Sequence, residues 1–378
     1  MTDIVAPETT PAPTGWRDRF FAWLPTEVDA RVRVFAWLSF IFEVFIIGTG
    51  GAVRLTGSGL GCSEWPLCTP ESLVPTPEQG IHGIIEFGNR TITGVVGILA
   101  IVVLLFTLHI VGGRRAFTTA LWFALGGIGA GGVLYAIAKV AGLDDLAFPG
   151  FAAGLLLVTV IAAVQSIRTI SGRRDLPVLA WVVLVGVIAQ AFVGGITVLT
   201  GLNPLIVGFH YAASLALACV TAAYLVRMRQ DAGPRVSTAP AERNAPGWFM
   251  ILSHVTGLAL AMTIFVGVLT TGSGPHSGDA NVIRTGFDAS VLAHVHSWPG
   301  YILTGLVLVL TVAAWVLRLP VRNWLLVLTV AIGTQVVVGV WQAREGLPAL
   351  LVGIHMVLAA LAAATYTVVM LKLKRPVD

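Results

Sequence analysis

The chain has 378 residues, of which 56% are hydrophobic and 11% charged, and its formal net charge is +4. Soluble domains carry roughly 25% charged residues, so this chain cannot cover a core with a charged surface, and lipid is its expected solvent. No basic, aromatic-interleaved patch points to nucleic acid, and three cysteines in so long a chain make no disulfide scaffold.

In chain order, residues 1–31 read as a mobile, Pro/Thr-rich cytoplasmic tail (APETTPAPT). It has no apolar run of the kind a cleaved signal peptide needs. Arg31 and Arg33 mark the approach to the membrane. A span needs about 20 mainly apolar residues, and ten stretches qualify: about 32–56, 83–111, 116–140, 148–170, 177–200, 204–228, 247–271, 291–317, 321–343 and 348–371. The third is rich in glycine (GGIGAGG), which permits close helix approach in lipid. A polar, Pro-rich linker at 229–246 divides an N-terminal bundle, 32–228, from a C-terminal bundle, 247–373.

Lysines and arginines orient this plan. With the N-terminus inside, 18 of the 23 fall in inside segments: Arg17, Arg19, Arg31, Arg33, Arg114, Arg115, Arg168, Arg173, Arg174, Arg227, Arg229, Arg235, Arg243, Arg318, Arg322, Lys372, Lys374 and Arg375. Arg54, Arg90, Lys139, Arg284 and Arg344 fall outside. The positive-inside rule selects this orientation, with both termini cytoplasmic.

The two halves repeat each other. QAFVGGITVLTGLNPLIVGFH, from Gln190 to His210, and QVVVGVWQAREGLPALLVGIH, from Gln335 to His355, share the frame Q-x3-G-x6-G-L-x4-V-G-x-H at an offset of 145 (335 − 190 and 355 − 210). Earlier, Thr56-Gly57-Ser58-Gly59 matches Thr271-Gly272-Ser273-Gly274 at an offset of 215, and Asn89 matches His296 at 207. The fall from 207 to 145 leaves about 62 extra residues in the first half, which an added hairpin at about 116–170 accommodates. The expected fold is therefore all-α: two pseudosymmetric four-helix transmembrane bundles in parallel orientation, plus one extra transmembrane hairpin.

Ionisable residues inside a membrane are costly and face a bundle interior. His210 lies roughly 9 Å into its span at 1.5 Å per residue, and His355, His296, Glu86 and Asn89 lie at similar depth. Two imidazoles facing each other across a bundle can ligate one haem iron from both sides. His294 competes with His296 for that place, but two residues apart they point to different sides of a helix; the repeat favours His296. For His355 and His210 the alternative is a helix-packing histidine bonded to a carbonyl, which would be the better reading of a lone histidine; the repeat and the matched depth favour haem ligation. His109 and His254 read as interfacial on the cytoplasmic side, and His276 lies in an outer loop. Glu86 and Asn89 share a helix face. Glu86 reads either as the partner of an arginine such as Arg90 or Arg54, or as a carboxylate at a reaction site. Glu43 falls mid-span as a structural partner for another helix, with no assigned role. Cys62 and Cys68, in GLGCSEWPLC, suit a short-loop disulfide on an oxidising side; a metal site lacks further ligands. Cys219 reads as a small apolar residue.

VRLTGSGLGCSEWPLC (Val53 to Cys68), IIEFGNR (Ile84 to Arg90) and the repeated G-L-x4-V-G-x-H helices resemble the haem A synthase family over nearly the whole chain. The resemblance implies a haem b cofactor held by His296 and His355 through its iron. It implies haem O as substrate near Glu86, the catalytic carboxylate, and His210, its iron ligand. It implies a membrane oxidoreductase that converts the C8 methyl of haem O to a formyl group, giving haem A for haem–copper terminal oxidases, and a Cys62–Cys68 disulfide. Asn89, Arg90 and Arg54 become candidate support for the substrate site. Asn89 departs from the family, where histidine is common; His82, two turns away, is a weak substitute. The other partners expected are membrane lipid, an electron donor and, as candidates, a haem O synthase, oxidase assembly factors and a second copy of the chain, in a bacterial plasma membrane. A di-haem, cytochrome b-like electron-transfer protein would use the same histidines without changing its haem, and Asn89 weighs against it. A transporter would place its polar residues at the midplane, whereas here they cluster towards the outer side.

Overall fold

A computed structural model describes residues 15–229, 245–279, 282, 286 and 288–373. The tail before residue 15, the linker arginines Arg235 and Arg243, and Arg284, Lys374 and Arg375 lie outside the described residues. A short helix, α1 (Trp16–Trp23), precedes nine long ones: α2 (Ala30–Leu55), α3 (Gly80–Val140), α4 (Asp144–Thr169), α5 (Asp175–Leu199), α6 (Pro204–Arg227), α7 (Gly247–Ser273), α8 (Ala289–Val316), α9 (Arg322–Arg344) and α10 (Ala349–Leu373). All nine are long and apolar enough to cross a membrane, and the chain is a polytopic membrane protein.

The second and third expected spans are two arms of α3. Its 61 residues break at Gly113, whose φ of 61° and ψ of −161° are open to glycine alone. Eight residues of straight helix would separate His109 and Phe117 by about 12 Å. Their ring centroids are 6.2 Å apart, so the chain turns back on itself there. That turn is covered by α1, which sequence reading took for part of an unstructured tail. Phe21 packs on both His109 and Phe117, and His109 Nδ1 lies 3.0 Å from the Pro25 carbonyl. Eight residues with three charges have little helical preference alone; the aromatic contacts hold the helix.

Helix ends follow local chemistry. Asp29 caps α2 by accepting from Val32 N at 3.1 Å, and Asn203 caps α6, with Pro204 at its first position. The repeated Gly-Leu pair has a structural cause. Gly201 and Leu202 have φ of 61° and 59°, and Gly346 and Leu347 have 75° and 65°. Leu202 N donates to Thr197 O at 2.7 Å, and Leu347 N to Gln342 O at 2.8 Å. Both are the same left-handed helix stop, closing α5 and α9 ahead of α6 and α10.

Packing closes two rings. The first arm of α3 sits with α2, α5 and α6; α7, α8, α9 and α10 form the second ring. Helices α2 and α6 of the first ring pack on α10 of the second. The second arm of α3 and α4 form a hairpin alongside, and large side chains such as Trp122, Leu125 and Ile128 stay exposed on it for lipid. Glycines set its spacing: a Cβ on Gly131 would lie 2.7 Å from Phe151 O, and one on Gly154 would lie 2.9 Å from Gly131 N.

Because these obstacles are backbone atoms, Gly154→Leu must push the two arms of the hairpin apart. Overpacking of this kind costs about 1–3 kcal/mol. Thermal unfolding in detergent should show a clear loss for Gly154→Leu and none for Gly132→Leu, whose Cβ would meet open space.

Candidate functional site

The loop after α2 is built around Arg90. Its guanidinium donates to Leu67 O at 2.8 Å, Glu64 O at 3.0 Å, Cys62 O at 3.2 Å and Glu86 Oε1 at 2.6 Å. The other Glu86 oxygen accepts from Cys62 N at 2.7 Å. Cys62 and Cys68 are joined by a disulfide. The ion-pair reading of Glu86 is thus realised with Arg90, one turn away on α3, and Glu86 is only 4% exposed. Trp65, at the tip of the loop, lies against Gly195 of α5, where any Cβ would collide with the indole. Phe148 of α4 meets the same indole edge-on at 4.8 Å and Phe192 at 5.8 Å. The added hairpin, for which the sequence offered no task, supports the loop through Phe148.

Beneath this loop lies a chamber of about 320 Å³ inside the first ring. Glu86, Asn89, Arg90, Arg54 and His210, separated by up to 156 positions (210 − 54) in sequence, all line it. Gln190 holds the His210 ring: Nδ1 and Gln190 Oε1 are 2.6 Å apart, and Gln190 Nε2 donates to His210 O at 3.2 Å. An amide oxygen can only accept, so Nδ1 carries the proton and Nε2 is left as a bare lone pair, the form that ligates a metal. Sequence reading recorded Gln190 as a repeated polar residue but gave it no task. Asn89 Oδ1 accepts from Thr49 at 2.8 Å. His82 lies outside the chamber, with Nδ1 2.9 Å from Ser58 Oγ, and so does not replace the absent histidine. Arg54 donates to Thr271 O at 2.6 Å and His276 O at 2.7 Å, tying the end of α2 to the loop after α7. Glu43, expected to pair with another helix, instead lines the chamber with Oε1 buried and without a partner.

In the second ring, the His296 and His355 centroids are 6.4 Å apart, with the rings at 80°. A metal held by two imidazoles at about 2 Å each needs centroids roughly 6 Å apart. Nδ1 of both rings is buried without a partner, and glycines flank them: Gly267 at His296 and Gly339 at His355. These residues fit an iron between them. His294 is exposed and meets Trp298 edge-on instead. Among the described residues, no three His, Cys, Asp or Glu side chains cluster as a metal cage.

The sequence model of a family described as cytochrome oxidase assembly protein matches residues 33–147 and 150–367. A haem A synthase from Exiguobacterium sibiricum is 39% identical over 83 residues, 21% of this chain and 27% of that protein. Another from Alkalihalophilus pseudofirmus is 36% identical over 73 residues, 19% of this chain and 24% of its own. A protoheme IX farnesyltransferase from Thermus thermophilus is 30% identical over 87 residues, 23% of this chain and 14% of its own. The aligned stretch spans about a quarter of the length of the haem A synthases.

Arg90→Ala would leave the Glu86 carboxylate buried with only backbone N–H groups of the loop, that of Cys62 foremost, as donors and no counter-charge. Breaking a buried pair in this way costs about 3 kcal/mol or more. Glu86→Gln keeps an acceptor for Cys62 N and should cost distinctly less. Thermal scans of the two variants with the disulfide intact test this; equal losses would show that the ion pair does not hold the loop.

Proposed function

We propose that this chain, which belongs to the haem A synthase family of cytochrome oxidase assembly proteins, oxidises the C8 methyl of haem O to a formyl group through hydroxylated intermediates. The product, haem A, serves haem–copper terminal oxidases. The observation that carries this reading is the chamber of the first ring, where one imidazole with a bare Nε2 faces a largely apolar volume beneath a loop bonded to the Glu86 carboxylate of α3. A farnesylated haem is apolar except at its carboxylates, its hydroxyl and its iron, and a lipid-embedded chamber with polar groups at the loop end suits it.

His210 is the ligand of the substrate iron, and Gln190 keeps its tautomer and ring direction. Asn89, a neutral amide bonded to Thr49, does not supply a second strong ligand, so the substrate iron has one protein ligand. Glu86 is the carboxylate nearest the reaction, able to take up protons, while Arg90 and the loop exclude water. In the second ring, His296 and His355 would hold haem b; when bound, it supplies a one-electron relay beside the chamber. The N-terminal half is thus the substrate half and the C-terminal half the cofactor half. Both termini lie in the cytoplasm of a bacterial cell, and the site sits towards the outer face of the plasma membrane. A family-matched stretch shared with a protein named as a protoheme farnesyltransferase is in keeping with a farnesylated haem as substrate.

The test is to express the chain with a supply of haem O, purify it in detergent, extract its haems and resolve them by chromatography. Haem A or its hydroxylated precursor should appear. Glu86→Ala should abolish both, with haem b retained, and His355→Ala should remove haem b. A protein that keeps haem b alone, unchanged however much haem O is supplied, would instead be a di-haem type electron carrier.

A further inference from the structure

The chamber carries polar side chains at several depths, and one of them stands apart. Arg54 and Glu43 both project from α2, 11 residues apart (54 − 43), or about 16 Å along the axis at 1.5 Å per residue. Arg54 stands at the loop end and Glu43 far below it, yet both line the same cavity. Glu43 is 2% exposed, and its Oε1 is buried with no hydrogen-bond partner. Ile46 and Ile47, one turn on along α2, line the chamber beside it.

The chamber's other polar groups are already committed. The hydroxyls of Thr93, Thr197, Tyr211, Ser214 and Ser277 donate to backbone carbonyls. Glu86 is paired with Arg90, and Gln190 with His210. Among the described carboxylates and hydroxyls of the chamber, Glu43 alone holds an oxygen that no protein group satisfies. A buried polar atom in that state takes a proton or a donor from whatever fills the space.

Resting on the reading of this chamber as the haem O site, we propose that Glu43 is a specificity-determining residue, which reads the hydroxyl of the farnesyl-bearing substituent and so separates haem O from haem b. The two haems share the macrocycle, the iron and both propionates. Ligation by His210 and any contact of the propionates with the arginine end treat them alike. They differ at one ring position, where haem O carries a hydroxylated farnesyl chain and haem b a vinyl group. Apolar walls can favour the chain but distinguish apolar groups only weakly, whereas a site built to bond a hydroxyl leaves a polar group orphaned when the hydroxyl is missing. With the propionates towards Arg54 and Arg90, the edge of the macrocycle that bears the farnesyl substituent faces the depth at which Glu43 stands.

The experiment is a titration of the detergent-purified full chain, its second site filled with haem b, with haem O and with further haem b, read by difference absorbance and by extraction. His210→Ala identifies the signal of the chamber. Glu43→Leu should weaken haem O binding about tenfold to a hundredfold, the worth of one hydrogen bond to a carboxyl, and leave the affinity for added haem b unchanged. Glu43→Gln, which still offers an acceptor, should keep most of the preference. Retention of haem b at the second site reports that each variant is folded. An unchanged haem O to haem b ratio in Glu43→Leu overturns the proposal, as does an equal loss of both haems. Haem O binding that survives His210→Ala undiminished overturns the chamber reading itself, whatever Glu43 does.

Discussion

The guanidinium of Arg90 holds three backbone carbonyls and one buried carboxylate. Each of those acceptors belongs either to the loop between α2 and α3 or to α3 itself. The network therefore fixes the loop to the helix before any tertiary contact is counted. Once it is fixed, Trp65 has one place to go, the groove that Gly195 opens on α5, and Phe148 closes over it. The roof of the chamber, the register of α3 against α5 and the seating of the added hairpin all follow from one cation in the right place. Glu86 serves this network and lines the chamber at once. A residue so placed transmits any change in the loop to the space below it.

Much of this architecture was legible in one dimension. A lipid-spanning helix needs length and apolarity, both local properties, so the span limits fall within a few residues of the helices found. The repeat was legible for a related reason: its Gly-Leu pair encodes a left-handed stop, and a turn with φ near 60° at a leucine needs a specific local sequence to be tolerated. Gly113 was harder, because one glycine among many in apolar sequence gives no sign that it is the one at which the chain reverses. The helix α1 was missed because its stability comes from His109 and Phe117, 88 and 96 residues beyond Phe21 (109 − 21 and 117 − 21). The same limit applies to the site. Sequence could place His210, Glu86 and Asn89 at one depth, but the bond from Gln190 to His210 joins two helices. The solitude of Glu43 is a property of what surrounds it. An unpaired carboxyl and a paired one look identical until every neighbour is known.

The two halves show what duplication leaves free to change. Both keep the glutamine one helix before the histidine, but their use differs. In the first ring Gln190 grips His210 from both sides of its amide. In the second, Gln335 Oε1 is buried with no partner, and His355 faces His296 directly. Two imidazoles across a narrow gap make a permanent, symmetric ligand pair, which suits a group that stays bound. One imidazole held rigid by an amide, opposite an asparagine tied to Thr49, makes a site with one strong ligand and a wide volume. That is the arrangement a group must meet if it is to enter, change and leave. The rings differ at the matched position of Asn89 and His296, in the use of their glutamines, and in the chamber that opens in the first. The surrounding helices and their left-handed stops are held in common, so the duplicated frame supplies the depth of the histidines, and the side chains that each ring adds around that frame set what each histidine meets.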